Sequence, residues 1–258
     1  MSQQQMIIVK SAAEVERMRR AGLLAAQALR EVAQAVRPGA TGVALDRLAE
    51  AFVRDHGGTP SFKGYRGFPA SVCISVNDAV VHGIPNGRPL RDGEIVSIDL
   101  GAEVEGFHGD IAVTLPIGEV SPELQRLLRV AREALFKGIG AVRAGRHLGD
   151  IGAAVQRHAE RGGYSVVRDF AGHGIGRHLH EEPQVPNFGD PGTGPLLRAG
   201  MTLAIEPMVN LGGPEVVVEG DGWTVRTRDG RPSAHFEHTV AVTPDGADVL
   251  TAMPGGVL

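Results

Sequence analysis

The chain has 258 residues, room for one substantial core but little for added regulatory domains, and its 36 glycines, roughly twice ordinary usage, call for many tight turns. Net charge is −4 and the basic residues are scattered, which leaves no electrostatic footprint for nucleic acid or an anionic membrane. The one cysteine, Cys73, rules out an internal disulfide framework or a cysteine-based zinc site, and with a polar MSQQQ opening and no apolar run near membrane-spanning length the chain reads as cytoplasmic, without signal peptide or membrane span.

Ser11 with Glu14 three residues on is a capping box, and it opens a helix with apolar positions at Val15, Met18, Gly22, Ala25, Leu29, Val32 and Val36, closed by Pro38-Gly39. A second helix carries Leu45, Leu48, Phe52 and Val53 and stops at Gly57-Gly58; extended segments follow around Val72 to Val76 and from Glu94. The order then repeats: a helix capped by Ser121-Pro122 bears Leu124, Leu127, Leu128, Leu135 and Ile139, another runs from about Asp150 to Gly162-Gly163, and strands follow.

Residues repeat with the pattern. RPG at 37–39 returns as RAG at 143–145, and LRDGEIVSID at 90–99 returns as LRAGMTLAIE at 197–206, so Asp99 and Glu206 occupy equivalent places. We therefore expect one domain over 1–258 made of pseudo-symmetric halves, roughly 11–115 and 121–245. The fold class is α+β, a curved, mainly antiparallel sheet with helices on one face and a cleft on the other.

Glu94 to Ala102 and Phe107 to Leu115 read as a hairpin turning near Val104-Glu105-Gly106, which sets Asp99 within about one residue of facing Asp110. Like charges opposed in a sheet repel, and burial of an unpaired carboxylate costs several kcal/mol, so the pair calls for a cation or a shared proton. Two aspartates are more simply two solvated strand residues, but Asp99 sits in the apolar run IVSIDL. Glu206 ends MTLAI, Glu237 lies in AHFEHTVAV, and His173 stands between glycines in GHGIG. Alone, each fits a strand end, an outward strand position or a turn. Four carboxylates and one imidazole beside apolar runs form an oxygen-rich donor set, suited to a pair of divalent ions and to hydrolysis, with manganese, iron or cobalt favoured over structural zinc.

HGIP at 82–85, SIDLG at 97–101, GDIAVT at 109–114, GHGIGRHLHEEP at 172–183, IEPM at 205–208 and FEHT at 236–239 resemble type I methionine aminopeptidases of bacterial type, in peptidase family M24. The resemblance implies the internally duplicated "pita-bread" fold and removal of the initiator methionine when the second residue is small. It implies two divalent ions (cobalt, manganese, iron or zinc) on Asp99, Asp110, His173, Glu206 and Glu237. Glu206 becomes ligand and proton carrier, and His82 and His180 the histidines that act on substrate. The methionine pocket it implies comprises Phe62, Tyr65, Phe68, Cys73, Leu179 and Trp223, with Phe68 and Leu179 departing from the tyrosine and the aromatic common in bacterial members. It further implies a monomer whose partner is the N-terminal methionine of nascent chains, met in transient association with the ribosome. Without those motifs the aromatics read as core residues, Cys73 as a small buried hydrophobe and His82 and His180 as loop histidines. His56, His108, His147, His158, His178, His235 and His238 are read as structural.

Two rivals remain at this level. Proline-specific peptidases share the five ligands, although they usually carry an additional N-terminal domain. A non-enzymatic binding module on the same fold is the other.

Overall fold

The computed structural model describes residues 6–254; the polar opening at 1–5 lies outside them. The described residues form four α-helices: α1 (Ala12–Ala35), α2 (Gly42–Asp55), α3 (Pro122–Ala141) and α4 (Leu148–Arg161). The strands in chain order are β1 (Thr59–Pro60), β2 (Cys73–Val76), β3 (Ala79–Val81), β4 (Ile95–Val104), β5 (Phe107–Pro116), β6 (Ser165–Val166), β7 (Gly172–Gly174) and β8 (Glu181–Val185). They continue as β9 (Thr202–Ile205), β10 (Met208–Asn210), β11 (Val216–Val218), β12 (Val225–Thr227), β13 (Ser233–His235), β14 (Glu237–Val242) and β15 (Ala247–Val249). Among the described residues no helix is long and apolar enough to cross a membrane.

The helices start where the caps predict. Ser11 and Glu14 close the capping box at α1, and Ser121 caps α3 with Pro122 in its first turn. At α4 the boundary differs: Asp150 is not the start but the third residue, its carboxylate accepting the His147 N–H at 3.0 Å, so His147 is the cap.

One nine-stranded antiparallel sheet dominates, ordered β1-β4-β5-β14-β9-β7-β8, with β2 added on β4 and β15 on β14. Alternation along each strand sorts its side chains. Ile98 and Leu100, Ile111 and Val113, Val240 and Val242, and Leu203 and Ile205 turn to the helices and form the main core with Leu29, Leu45, Leu127, Leu135 and Ile151. Helix α1 lies close on β5 because Gly109 faces Gly22; a Cβ on Gly109 would stand 2.4 Å from the Gly22 nitrogen.

The repeat is physical. The Gly39 N–H donates to the Leu90 carbonyl at 2.8 Å, and Gly145 N–H donates to that of Leu197 at 2.9 Å, joining the two repeated segments in the same way in each half. Gly39, Gly93, Gly145 and Gly200 all have positive φ, between 84° and 89°. The halves meet where β5 pairs with β14.

The β4–β5 hairpin corrects one expectation. Val104 pairs with Phe107 across a two-residue turn, with Glu105 at φ 52° and Gly106 at 76°, the signature of a type I′ turn. Asp99 therefore faces Ala112, and Asp110 faces Gly101. The aspartates are two residues out of register, not one. An offset of one would have put them on opposite faces of the sheet; an offset of two keeps them diagonal on the same face.

Candidate metal centre

The face turned away from the helices carries two rows of side chains. In the first, Asp99 on β4 pairs with Ala112 on β5, and Ala112 with Glu237 on β14. Because Ile205 pairs with His238, Glu206, one residue past β9, continues that row beside Glu237. In the second, Gly101 pairs with Asp110; Thr239 accepts the Asp110 N–H and donates to its carbonyl, both at 2.9 Å; Thr239 pairs with Ala204, and Ala204 with His173. Alanines stand between the functional residues, so their short side chains leave a floor over which longer ones converge. One donor atom each from Asp110, His173 and Glu237 lies within 4.8 Å of the others.

Glycines let β7 fit between its neighbours: a Cβ on Gly172 would meet the Ala204 carbonyl oxygen at 2.3 Å, and one on Gly174 would meet that of Glu182 at 2.2 Å. His173 Nδ1 donates to the Gly174 carbonyl at 2.9 Å. A carbonyl can only accept, so Nδ1 carries the proton and Nε2 presents a bare lone pair. That lone pair lies 3.5 Å from Glu206 Oε1.

Burial pushes the pKa values of the carboxylates up. Asp110 rises to about 7, chiefly by desolvation. Asp99, Glu206 and Glu237 rise well above the carboxylate range, from burial first and then from Asp110, with Glu206 adding to the rise of Asp99 and Glu237. Burial takes His173 down to about 4, which keeps its imidazole neutral. Asp99 Oδ1 and Glu237 Oε1 are buried with no hydrogen-bond partner among the described residues. Acceptors facing acceptors in a desolvated cluster need positive charge between them, and the mix of carboxylate oxygens with one neutral imidazole nitrogen fits divalent metal.

Every side chain singled out from sequence lines one cavity of about 130 Å³. The metal-side groups form one end. Phe62, Tyr65, Phe68, Cys73, Leu179 and Trp223 form the other, within or packed against an apolar cluster separate from the main core. Phe68 meets Trp223 edge-on at 5.1 Å between ring centres. The Cys73 thiol is pushed well up by burial and by Asp99, Asp110 and Glu237, so it is a neutral wall group. His180 at the mouth stacks on Tyr65 at 5.1 Å and lies 4.1 Å from the His173 ring. Although His180 is exposed, partial desolvation by its neighbours, then His173, Arg66 and His82, lowers its pKa and favours the neutral ring, an N–H donor. His82 sits at φ 58°, a costly backbone for a non-glycine residue, and its half-buried ring meets Phe170 and Trp223 edge-on.

Residues 16–244 match the model of metallopeptidase family M24. The chain belongs to that family. It is 53% identical over 246 residues to the methionine aminopeptidase of Clostridium perfringens, covering 95% of this chain and 99% of that one. The crystal structure of methionine aminopeptidase from Rickettsia prowazekii superposes with a TM-score of 0.95 at 44% identity, covering 96% of this chain and all of that one. A Xaa-Pro dipeptidase from Bacillus anthracis shares the fold, with a TM-score of 0.77 at 24% identity, but this chain spans only 63% of it.

Within this M24 chain two cavity neighbours were missed from sequence. Arg66 lines the mouth and lies over the Tyr65 ring at 5.3 Å; an arginine in GYRGF gave no signal of that place. His235, read as structural, is 1% exposed and stands 3.7 Å from Glu206. Its position two residues before Glu237 was the available clue, since His235 belongs to a different strand that returns to the same site.

Proposed function

We propose that this metallopeptidase is a methionine aminopeptidase, which hydrolyses the first peptide bond of nascent chains whose second residue is small. The observation that supports it most is the joining of a four-carboxylate, one-histidine cluster to an apolar cavity of about 130 Å³. An unbranched, polarizable thioether chain suits an apolar lining of aromatic, leucine and cysteine side chains. The high identity to methionine aminopeptidases along nearly the full chain supports the same reading.

Asp99, Asp110, His173, Glu206 and Glu237 would hold two divalent ions, of cobalt, manganese, iron or zinc. Metal bound there supplies Lewis acidity, acidifying water near neutral pH and countering negative charge as it develops on the scissile carbonyl. The protein's own groups do the rest. Glu206 takes a proton from the attacking water and returns it to the leaving amine, so the products are free methionine and the shortened chain. His180 donates from its neutral ring to the tetrahedral oxygen, and His82 lies beside the scissile amide. The apolar wall fixes the methionine side chain, which leaves the next residue against the cleft mouth near Tyr65 and His180. We place the reaction in the cytoplasm, on chains emerging from the ribosome, by a monomeric enzyme.

Rates on a peptide series with metal-loaded enzyme test this. Met-Ala, Met-Gly and Met-Ser peptides are cleaved well, Met-Leu, Met-Lys and Met-Phe poorly, and N-acetylated peptides hardly at all. Faster cleavage of Ala-Pro than of Met-Ala, or indifference to the size of the second residue, defeats the assignment.

A further inference from the structure

Glu206 is bracketed by two imidazoles, one on each carboxylate oxygen. His173 Nε2 lies 3.5 Å from Oε1, and His235 Nε2 lies 3.7 Å from Oε2. The two histidines are not equivalent. His173 has spent its proton on the Gly174 carbonyl and shows Glu206 a lone pair, so that side of the carboxylate must face a cation. His235 has no such commitment: both ring nitrogens are buried without a hydrogen-bond partner among the described residues.

A fully buried imidazole with two unused nitrogens is costly unless the site employs it, because each unmet polar group gives up its hydration without a replacement bond. The backbone holds it there firmly. The Thr114 hydroxyl accepts the His235 N–H and donates to the His235 carbonyl, each at 2.8 Å, tying β13 to β5. The ring is not part of the cavity lining. Its separation from Oε2 is roughly 0.7 Å beyond the usual ~3.0 Å of an N–H···O bond, within reach of a small carboxylate rotation.

We propose that His235 is a positioning residue for Glu206, donating from Nε2–H to Oε2 and so leaving Oε1 directed at the metal. Nδ1 is then the bare nitrogen. The carboxylate is held by one oxygen and works with the other, and this explains why a histidine read as structural is buried against the centre without any structural bond from its ring. The inference rests on the metallopeptidase reading of the site, but it does not require that methionine be the residue removed.

His235→Leu and His235→Gln test it in the full-length protein, by calorimetric titration with Mn²⁺, by thermal unfolding with and without chelator, and by rates on a Met-Ala peptide. If the ring only fills space, Leu removes two unmet polar atoms and leaves every readout unchanged or raises the melting temperature. If it positions Glu206, His235→Leu keeps or gains stability in chelator yet loses about 10–100-fold in Mn²⁺ affinity and a similar factor in kcat, with KM little changed. His235→Gln, which can offer an amide N–H, recovers most of both. Unaltered Mn²⁺ affinity in the leucine variant, or a glutamine variant no better than leucine, overturns the proposal. A wild-type protein that binds Mn²⁺ but does not cleave Met-Ala would defeat the substrate reading alone, since the affinity difference between variants would still decide the role of His235.

Discussion

Lys10 Nζ lies 2.5 Å from Glu181 Oε2 across 171 residues of sequence, and neither side chain is more than 4% exposed. The other Glu181 oxygen accepts the His178 N–H at 3.1 Å, and the Lys10 N–H donates to the Gly200 carbonyl at 2.8 Å. The pair thus pins the segment before α1 to the loop that delivers Leu179 and His180. Removing one partner strands a charge in the interior, worth about 3–5 kcal/mol. Lys10→Met is expected to lower the melting temperature clearly and to reduce kcat through the displaced loop, while Lys10→Met with Glu181→Met regains most of the stability. Thermal melts of the two single variants and the double one check it; an unchanged melting temperature in Lys10→Met would show that the pair carries no net stability.

Asp99 and Asp110 stand diagonally on one face, with burial holding both pKa values up. Without metal, the folded protein keeps protons that the unfolded chain releases near pH 4, so its stability is full below that pH and is lost as pH rises through about 7, where Asp110 titrates. With metal the slope reverses, because the ligands must shed protons to bind. Melting temperatures of chelated and Mn²⁺-loaded protein between pH 5 and pH 8 should therefore diverge as pH rises. Asp99→Asn should bind less metal and turn over slowly, yet melt higher than wild type in chelator at pH 8. Full metal occupancy and normal turnover in this variant would remove Asp99 from the centre.

Much of the fold and of the site is legible in the sequence. Capping boxes, the paired RPG/RAG and LRDG/LRAG segments and the apolar runs around Asp99 and Glu206 are local signals, and local signals survive in one dimension. The parity of the hairpin was not legible: the run Val104-Glu105-Gly106 is compatible with turns of two or three residues, and only the observed pairing of Val104 with Phe107 puts both aspartates on one face. The place of His235 beside Glu206 was not legible for a related reason. Alternation from Glu237 would assign it to the same strand, but a break at Phe236 separates β13 from β14, and β13 pairs instead with β10, the strand that follows Glu206-Pro207. Arg66 reaches the cavity from a short turn in which it has φ 49°, a backbone state that side-chain pattern does not announce.

His180 stacks flat on Tyr65 and is kept neutral, which suits a donor to a developing oxyanion better than a ligand. His180→Ala is expected to lower kcat by about 10²–10³ with metal content retained. His180→Gln should recover part of that loss. Metal analysis beside the kinetics decides it: loss of bound metal in the alanine variant would make His180 a ligand.

Leu179, 2% exposed, lines the cavity within the same apolar cluster as Phe68 and Trp223. If this cluster sets which side chain is removed, its contribution is contact over a few methylenes, each worth about 1–3 kcal/mol. Leu179→Ala opens the wall, so the methionine side chain loses contact while a longer one gains room. The expected result is a higher KM for Met-Ala with kcat little changed, since the metal end and His180 are untouched. The ratio of kcat/KM for an ethionyl peptide to that for its methionyl counterpart should rise by tenfold or more. Leu179→Phe should act in the opposite sense, penalising the ethionyl peptide first. An ethionyl-to-methionyl ratio unmoved by either substitution would mean that Leu179 does not touch the first side chain, and that the apolar cluster supports the cavity without selecting what enters it.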